Sequence, residues 1–209
     1  MSASISHPHV FRTYSSRGSS SNPTIVEAIC ATISVPSYFS SVKIGPPRRA
    51  QSFIGGPLGA NNATRELLKE AGLAFGNDKR VAQIISIGCG MPRTLSLEDA
   101  KDDTGVGRLL KEMAANCHMV AQELSNRLFN VEAYRRFDVE RGMDNMEIDN
   151  WSVLGDIETH TRSYIEVDAV TKALENSLQC LRDKIGTATL GQISKCTQSL
   201  LNIFAVTTR

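Results

Sequence analysis

The 209-residue chain has no apolar run near the roughly 20 residues that a membrane-spanning helix requires, so no span is expected. It also has no surplus of either charge: 23 Lys and Arg stand against 22 Asp and Glu, which removes the whole-molecule field that recruits nucleic acid or an anionic surface. No C-x-x-C pair occurs, and the five cysteines (Cys30, Cys89, Cys117, Cys180, Cys196) lie far apart. That spacing excludes a zinc ribbon and a disulfide framework. It fits reduced core thiols of a cytoplasmic protein. No G-x-S-x-G serine turn occurs anywhere.

What is present is enough apolar sequence, 41%, for one real core. The expected layout is a tail over 1–9, one domain over 10–185 and a helical tail over 186–209. The first 21 residues hold Arg12, Arg17, many serines and no acid, a composition shared with mitochondrial transit peptides, but ISHPHVFRTY carries a strand pattern instead of a helical stripe. Asn22 with Pro23 predicts the start of a helix with Ile25, Ala28, Ile29, Thr32 and Ile33 on one face, ended by Pro36. Ser52–Ile54 predicts a short strand, and Asn62 or Thr64 the cap of a helix with Leu67, Leu68, Ala71 and Phe75 on its inner face, closed by Gly76. Val81–Ile87 reads as one strand buried on both faces, as in a parallel sheet covered by helices. One long helix over Gly107–Phe129, a strand near Tyr134–Val139 and a helix over Tyr164–Ile185 follow, with a weak helical stripe from Leu190 to Phe204. The predicted class is α/β, with a mainly parallel sheet and helices on both faces.

The most informative segment is FIGGPLGANN, Phe53–Asn62. Alone it is an ordinary strand-to-helix connection, since Gly and Asn tolerate positive φ and cap helices. It lies between EAICATISVPSYF (Glu27–Phe39), preceded by FRTY (Phe11–Tyr14), and IISIGCGMP (Ile84–Pro92), with YRRFDVERGMDNMEIDNW and THTRSYIE further on. In this order the segments resemble the later half of the patatin-like phospholipase family, especially its fungal members. The resemblance runs strongly from Val10 to Pro92 and loosely to Leu181.

That resemblance implies a three-layer sandwich whose first strands are missing, and lipid acyl-ester hydrolysis by a serine nucleophile with an aspartate at a D-G-G corner as its base. Here the corner reads I-G-G-P. Without a gap, Gly55 stands at the aspartate position; with an insertion at Pro57, Ile54 does. Neither accepts a proton. The active-site turn comprises Gly55, Gly56, Asn61 and Asn62, and the resemblance places the nucleophile turn before Met1. The chain alone is therefore expected to be inactive, and restoring aspartate at Gly55 beside a nucleophile turn is expected to raise esterase activity. The resemblance implies a phospholipid or other acyl lipid as substrate, peripheral membrane contact, no cofactor and no nucleic acid. Missing strands imply association through an exposed sheet edge. The alternative is a non-catalytic lipid-binding or interaction scaffold of the same fold.

Other features read more simply. Gly88–Cys89–Gly90 lacks the third glycine of a dinucleotide fingerprint and is taken as a structural turn, with Cys89 a small core residue. His7 and His9 lack further ligands and are taken as surface residues, so no metal site is expected. His118 on the long helix and His160 opening another are taken as packing or capping residues. The PPRR run, Pro46–Arg49, is taken as a solvated loop, with contact to lipid phosphates as the alternative. Glu27 and Glu66, the carboxylates nearest the corner in sequence, lie on predicted helices.

Overall fold

The computed structural model describes residues 8–14, 22–36, 38–91, 103–129, 133–144, 146, 149–183 and 186–194. The chain forms two compact units, one from 1–61 with 95–116 and one from 62–94 with 117–209.

In the first unit, helix α1 (Ile25–Ile33) is capped by Thr24. The Thr24 hydroxyl accepts from the Glu27 N–H at 3.2 Å, and the Glu27 carboxylate accepts from the Thr24 N–H at 2.7 Å. This reciprocal pair satisfies donors that the helix end leaves bare, so the start falls at Thr24 and not at Asn22. Strands β1 (Val42–Ile44) and β2 (Gln51–Phe53) form an antiparallel hairpin, Val42 facing Phe53 and Ile44 facing Gln51. Ala31, Ile44 and the fully buried Phe53 make a small core, joined by Phe11 and Val42. The FRTY segment supplies Phe11 to that core but forms no strand. A short helix α2 (Pro57–Ala60) and helix α4 (Asp103–Ala115) complete the unit.

In the second unit, helix α3 (Thr64–Phe75) ends at Gly76, whose φ of 80° suits glycine and whose N–H donates to the Gly72 carbonyl at 3.1 Å. The inner face is narrower than the sequence stripe: Leu68 is buried, whereas Leu67 and Phe75 are exposed. The expected single strand over Val81–Ile87 divides in two because its halves have different partners. β3 (Arg80–Val81) pairs antiparallel with β6 (Ala188–Thr189), and β4 (Ile84–Ile87) pairs parallel with β5 (Tyr134–Phe137). Between them Gln83 turns its amide to the Ser177 hydroxyl at 3.1 Å. Nor is β4 covered on both faces, since Ile87 is 80% exposed.

The expected long helix also breaks. Helix α4 ends at Ala115, and α5 (His118–Leu128) begins with Cys117 as its N-cap, in the second unit. Asn116 and Cys117 are weak helix formers, and the apolar stripe is buried from Cys117 onward, at Cys117, Ala121, Leu124 and Leu128. Likewise Tyr164–Ile185 resolves into α6 (Leu154–Ile165), entered by a 3-10 turn (Trp151–Val153), and α7 (Asp168–Asp183). The core joins Leu68, Ile84, Leu124, Leu128 and Tyr134 with Ala188, Leu190 and Ile193, so the expected tail contributes a strand and core residues from its first positions.

The fold is thus mixed α/β, with one parallel and two antiparallel two-stranded ladders among the described residues. The corner after β2 leaves an antiparallel hairpin, not the carboxyl edge of a mainly parallel sheet. No helix among the described residues is long and apolar enough to cross a membrane.

Candidate functional site

The corner is built by close backbone approach. The Gly55 N–H donates to the Ser34 carbonyl oxygen at 2.7 Å, tying the end of the hairpin to the segment that leaves α1. A Cβ at Gly55 would stand 2.8 Å from the Thr32 carbonyl oxygen and 3.1 Å from the Ser34 carbonyl carbon, so no side chain fits there. At Gly56 the corresponding space is open. Ile54 is half-buried. The two asparagines go separate ways. Asn61 donates its amide to the Ala115 carbonyl at 2.6 Å, closing the end of α4. Asn62, the first residue of the second unit, accepts at Oδ1 from the Thr64 N–H at 3.1 Å and the Thr64 hydroxyl at 2.6 Å, a local turn ahead of α3, whose N-cap position is Ala63 and not the expected Asn62 or Thr64.

The carboxylates near the corner in sequence are engaged elsewhere. Glu27 is held in the Thr24 cap, whose backbone and hydroxyl hydrogen bonds lower its pKa below the ordinary glutamate value. Glu66 lies 3.9 Å from the Lys69 ammonium on exposed α3. Pro46–Arg49 is an exposed hairpin tip in which the Arg49 N–H donates to the Pro46 carbonyl at 2.8 Å. His9 is a half-buried ring stacked edge-on to Phe11 and Phe53 at 5.1 and 5.2 Å, with its pKa lowered by burial and then by Arg12. The expectation of a surface histidine is corrected there by the aromatic core, while His7 lies outside the described residues. His118 is the exposed first residue of α5, and His160 lies within α6, not at its start, its ring over Gly142. Among the described residues no group of three His, Cys, Asp or Glu could hold a metal ion.

The more elaborate polar site was missed by sequence reasoning and lies in the second unit. Arg136 and Asp138 stand at alternate positions along and just beyond β5, their side chains 12% and 11% exposed, and pair at 2.7 Å and 3.0 Å. Arg136 also donates to the Ser86 hydroxyl at 2.7 Å and to the Cys117 sulfur at 3.2 Å. The other Asp138 oxygen accepts from the Gly90 N–H at 2.7 Å, and the Asp138 N–H donates to the Tyr164 hydroxyl at 3.2 Å. A Cβ at Gly88 would lie 2.2 Å from the Asp138 carboxyl, and one at Gly90, with φ 114°, 2.5 Å from the Met143 side chain. The Gly88–Gly90 turn is therefore wrapped on a carboxylate of its own chain, whose charge repels a phosphate. Cys89 is exposed, correcting its expected place in the core: the two glycines take the inward contacts and leave the residue between them outside. Cys30 is exposed as well, so only part of the thiol set is buried. The signal in the sequence was the two-residue alternation Tyr134, Arg136, Asp138 inside a strand pattern.

Beside β5 lies a cavity of about 510 Å³ that Tyr134 and Asp138 both line. Comparison with protein-family models, with curated proteins and with solved structures finds no match to this chain.

Proposed function

We propose that this chain is the later part of a patatin-like lipid acyl hydrolase domain from which the Ser–Asp dyad is absent, and that alone it hydrolyses no acyl ester. The observation that carries the reading is the corner itself. Gly55 occupies a position where no side chain fits, which supports the alignment with an insertion at Pro57, in which Ile54 stands where the family has its acid. Aspartate at Gly55 would collide with backbone, so the expected route to restored activity runs instead through Ile54. In that alignment the glycine pair and the two asparagines match the family's turn, Pro57 is inserted between them, and the proton acceptor is lost. The antiparallel pairing of β2 with β1 departs from the parallel layout that the resemblance implies at this corner, so the reading rests on the turn's residues and not on the sheet. Substrate kinship with phospholipids or other acyl lipids and peripheral membrane contact follow from the same resemblance, and a cytoplasmic location is proposed from the unpaired spacing of the cysteines.

A second reading, a lipid-binding or interaction scaffold without catalysis, draws on α1. Ile25, Val26, Ile29 and Ile33 form an apolar stripe at least half exposed over its length. Such a stripe on a stable element marks a covered surface.

The experiment is direct. The purified chain is incubated with p-nitrophenyl butyrate and with a fluorescent serine-directed phosphonate. No turnover above buffer and no labelling are expected; turnover stopped by the phosphonate overturns the reading. Binding to phosphatidylcholine vesicles without hydrolysis favours the scaffold.

A further inference from the structure

The near-neutral total charge hides an uneven chain. Residues 1–61 carry five basic side chains, Arg12, Arg17, Lys43, Arg48 and Arg49, against the single acid Glu27, whereas the rest of the chain carries 18 against 21. Lys43 lies on β1 and Arg48 and Arg49 at the tip of the same hairpin; all three are exposed, and none meets a carboxylate among the described residues. The tip stands beside the first turn of α1, since Gly45, Pro46 and Arg49 line one cavity with Asn22 and Glu27. Glu27 is already engaged by the Thr24 cap. Helix α1 turns Ile25, Val26, Ile29 and Ile33 outward, the first two 77% and 69% exposed. At the helical repeat these four fall on one face about 100° wide. Beyond the helix the Val35 carbonyl accepts from the Tyr38 and Phe39 N–H groups at 3.1 and 2.9 Å, and both rings are exposed. Residues 22–41 hold no charged side chain besides Glu27.

We propose that this surface docks on an anionic lipid bilayer, with α1 lying in the headgroup plane. Its aliphatic stripe enters the acyl boundary, and Lys43, Arg48 and Arg49 face the acidic headgroups. A helix is about 10 Å across, close to the Debye length of about 10 Å in 0.1 M salt, so cations at its flank stay within the field of the surface the stripe touches. The acids elsewhere in the chain do not cancel that attraction, because salt screens charges further away. Within the same unit, Asp103 and Glu112 lie on α4, which packs on α2. A second copy meeting the stripe symmetrically brings the same basic tip and no acid to oppose it, so self-association stays weak. An acidic bilayer satisfies the stripe and the cations together. This docking rests on the scaffold reading and names its partner.

The test floats the full chain with vesicles of phosphatidylcholine, alone or with about a third phosphatidylserine. Binding to the acidic vesicles should exceed binding to the neutral ones by about tenfold or more and fall as salt is raised. Lys43→Gln with Arg48→Gln and Arg49→Gln should remove that preference. Ile25→Ser with Ile29→Ser should weaken binding to both vesicle types. All of these side chains are exposed, so the melting temperature should hold. Val26→Trp in a Trp151→Phe background should be quenched by brominated lipid, which reports insertion of the stripe. Binding to neither vesicle, equal binding to both, an unquenched probe, or binding indifferent to the isoleucine changes overturns the proposal. Turnover of p-nitrophenyl butyrate would overturn the loss of catalysis and leave the vesicle result standing, so the two failures are distinct.

Discussion

The Gly55 N–H donates to the Ser34 carbonyl oxygen at 2.7 Å, and this contact leaves no room for a side chain at the corner after β2. Gly55→Ala forces backbone apart and should cost about 1–3 kcal/mol, an overpacking penalty. Gly56→Ala, which meets open space, should stay within about 0.5 kcal/mol. Urea denaturation of the two variants measures the contrast, and equal losses would contradict this account of the corner.

The Arg136–Asp138 pair predicts non-additive stability. Asp138→Ala strands a guanidinium that is 12% exposed and frees the Gly90 N–H, at a cost of about 3–5 kcal/mol. Adding Arg136→Met to Asp138→Ala should recover a large share of the loss, because the unpaired charge is then gone. A double-mutant cycle by chemical denaturation decides it; simple additivity contradicts the network.

Glu27 supplies a pH dependence whose sign is fixed by the cap. Its folded-state pKa lies below the ordinary value of 4.5, so its contribution is present above that value and fades as pH falls through the folded pKa. Glu27→Gln should therefore lower the melting temperature near neutrality and match the parent in strong acid. Thermal melts across that range check it, and a difference that persists in strong acid would contradict the cap's ionic character.

The exposed stripe of α1 predicts association. Sedimentation velocity of the purified chain should show concentration-dependent species, and Ile25→Glu with Ile29→Glu should reduce them with little change in the unfolding midpoint. A parent that remains a sharp monomer at all concentrations contradicts this.

Local order was legible and pairing was not. Helix periodicity located α1, α3, α5 and α7, and the Gly76 stop was readable because glycine alone accepts φ of 80° at ease. Val81–Ile87 looked like one strand because an apolar run carries no record of which partner each half meets. The break at Asn116–Cys117 was hidden by a stripe that continued through it, since periodicity does not tell an uninterrupted helix from two in register. At the corner the sequence identified the turn, but only the approach of Thr32 and Ser34 showed that Gly55 admits no side chain while Gly56 meets open space. The Arg136–Asp138 site depended on residues some fifty positions apart, Ser86 and Gly90, that sequence spacing does not bring together.

The measurement that bears most directly on the account is acyl-ester turnover by the purified chain, read with p-nitrophenyl butyrate and a fluorescent phosphonate in parallel. Background hydrolysis and an unlabelled band are the predicted result, because Ile54 and Gly55 offer no base and the chain has no G-x-S-x-G turn. Saturable turnover abolished by the phosphonate, with label on a single serine, would contradict it.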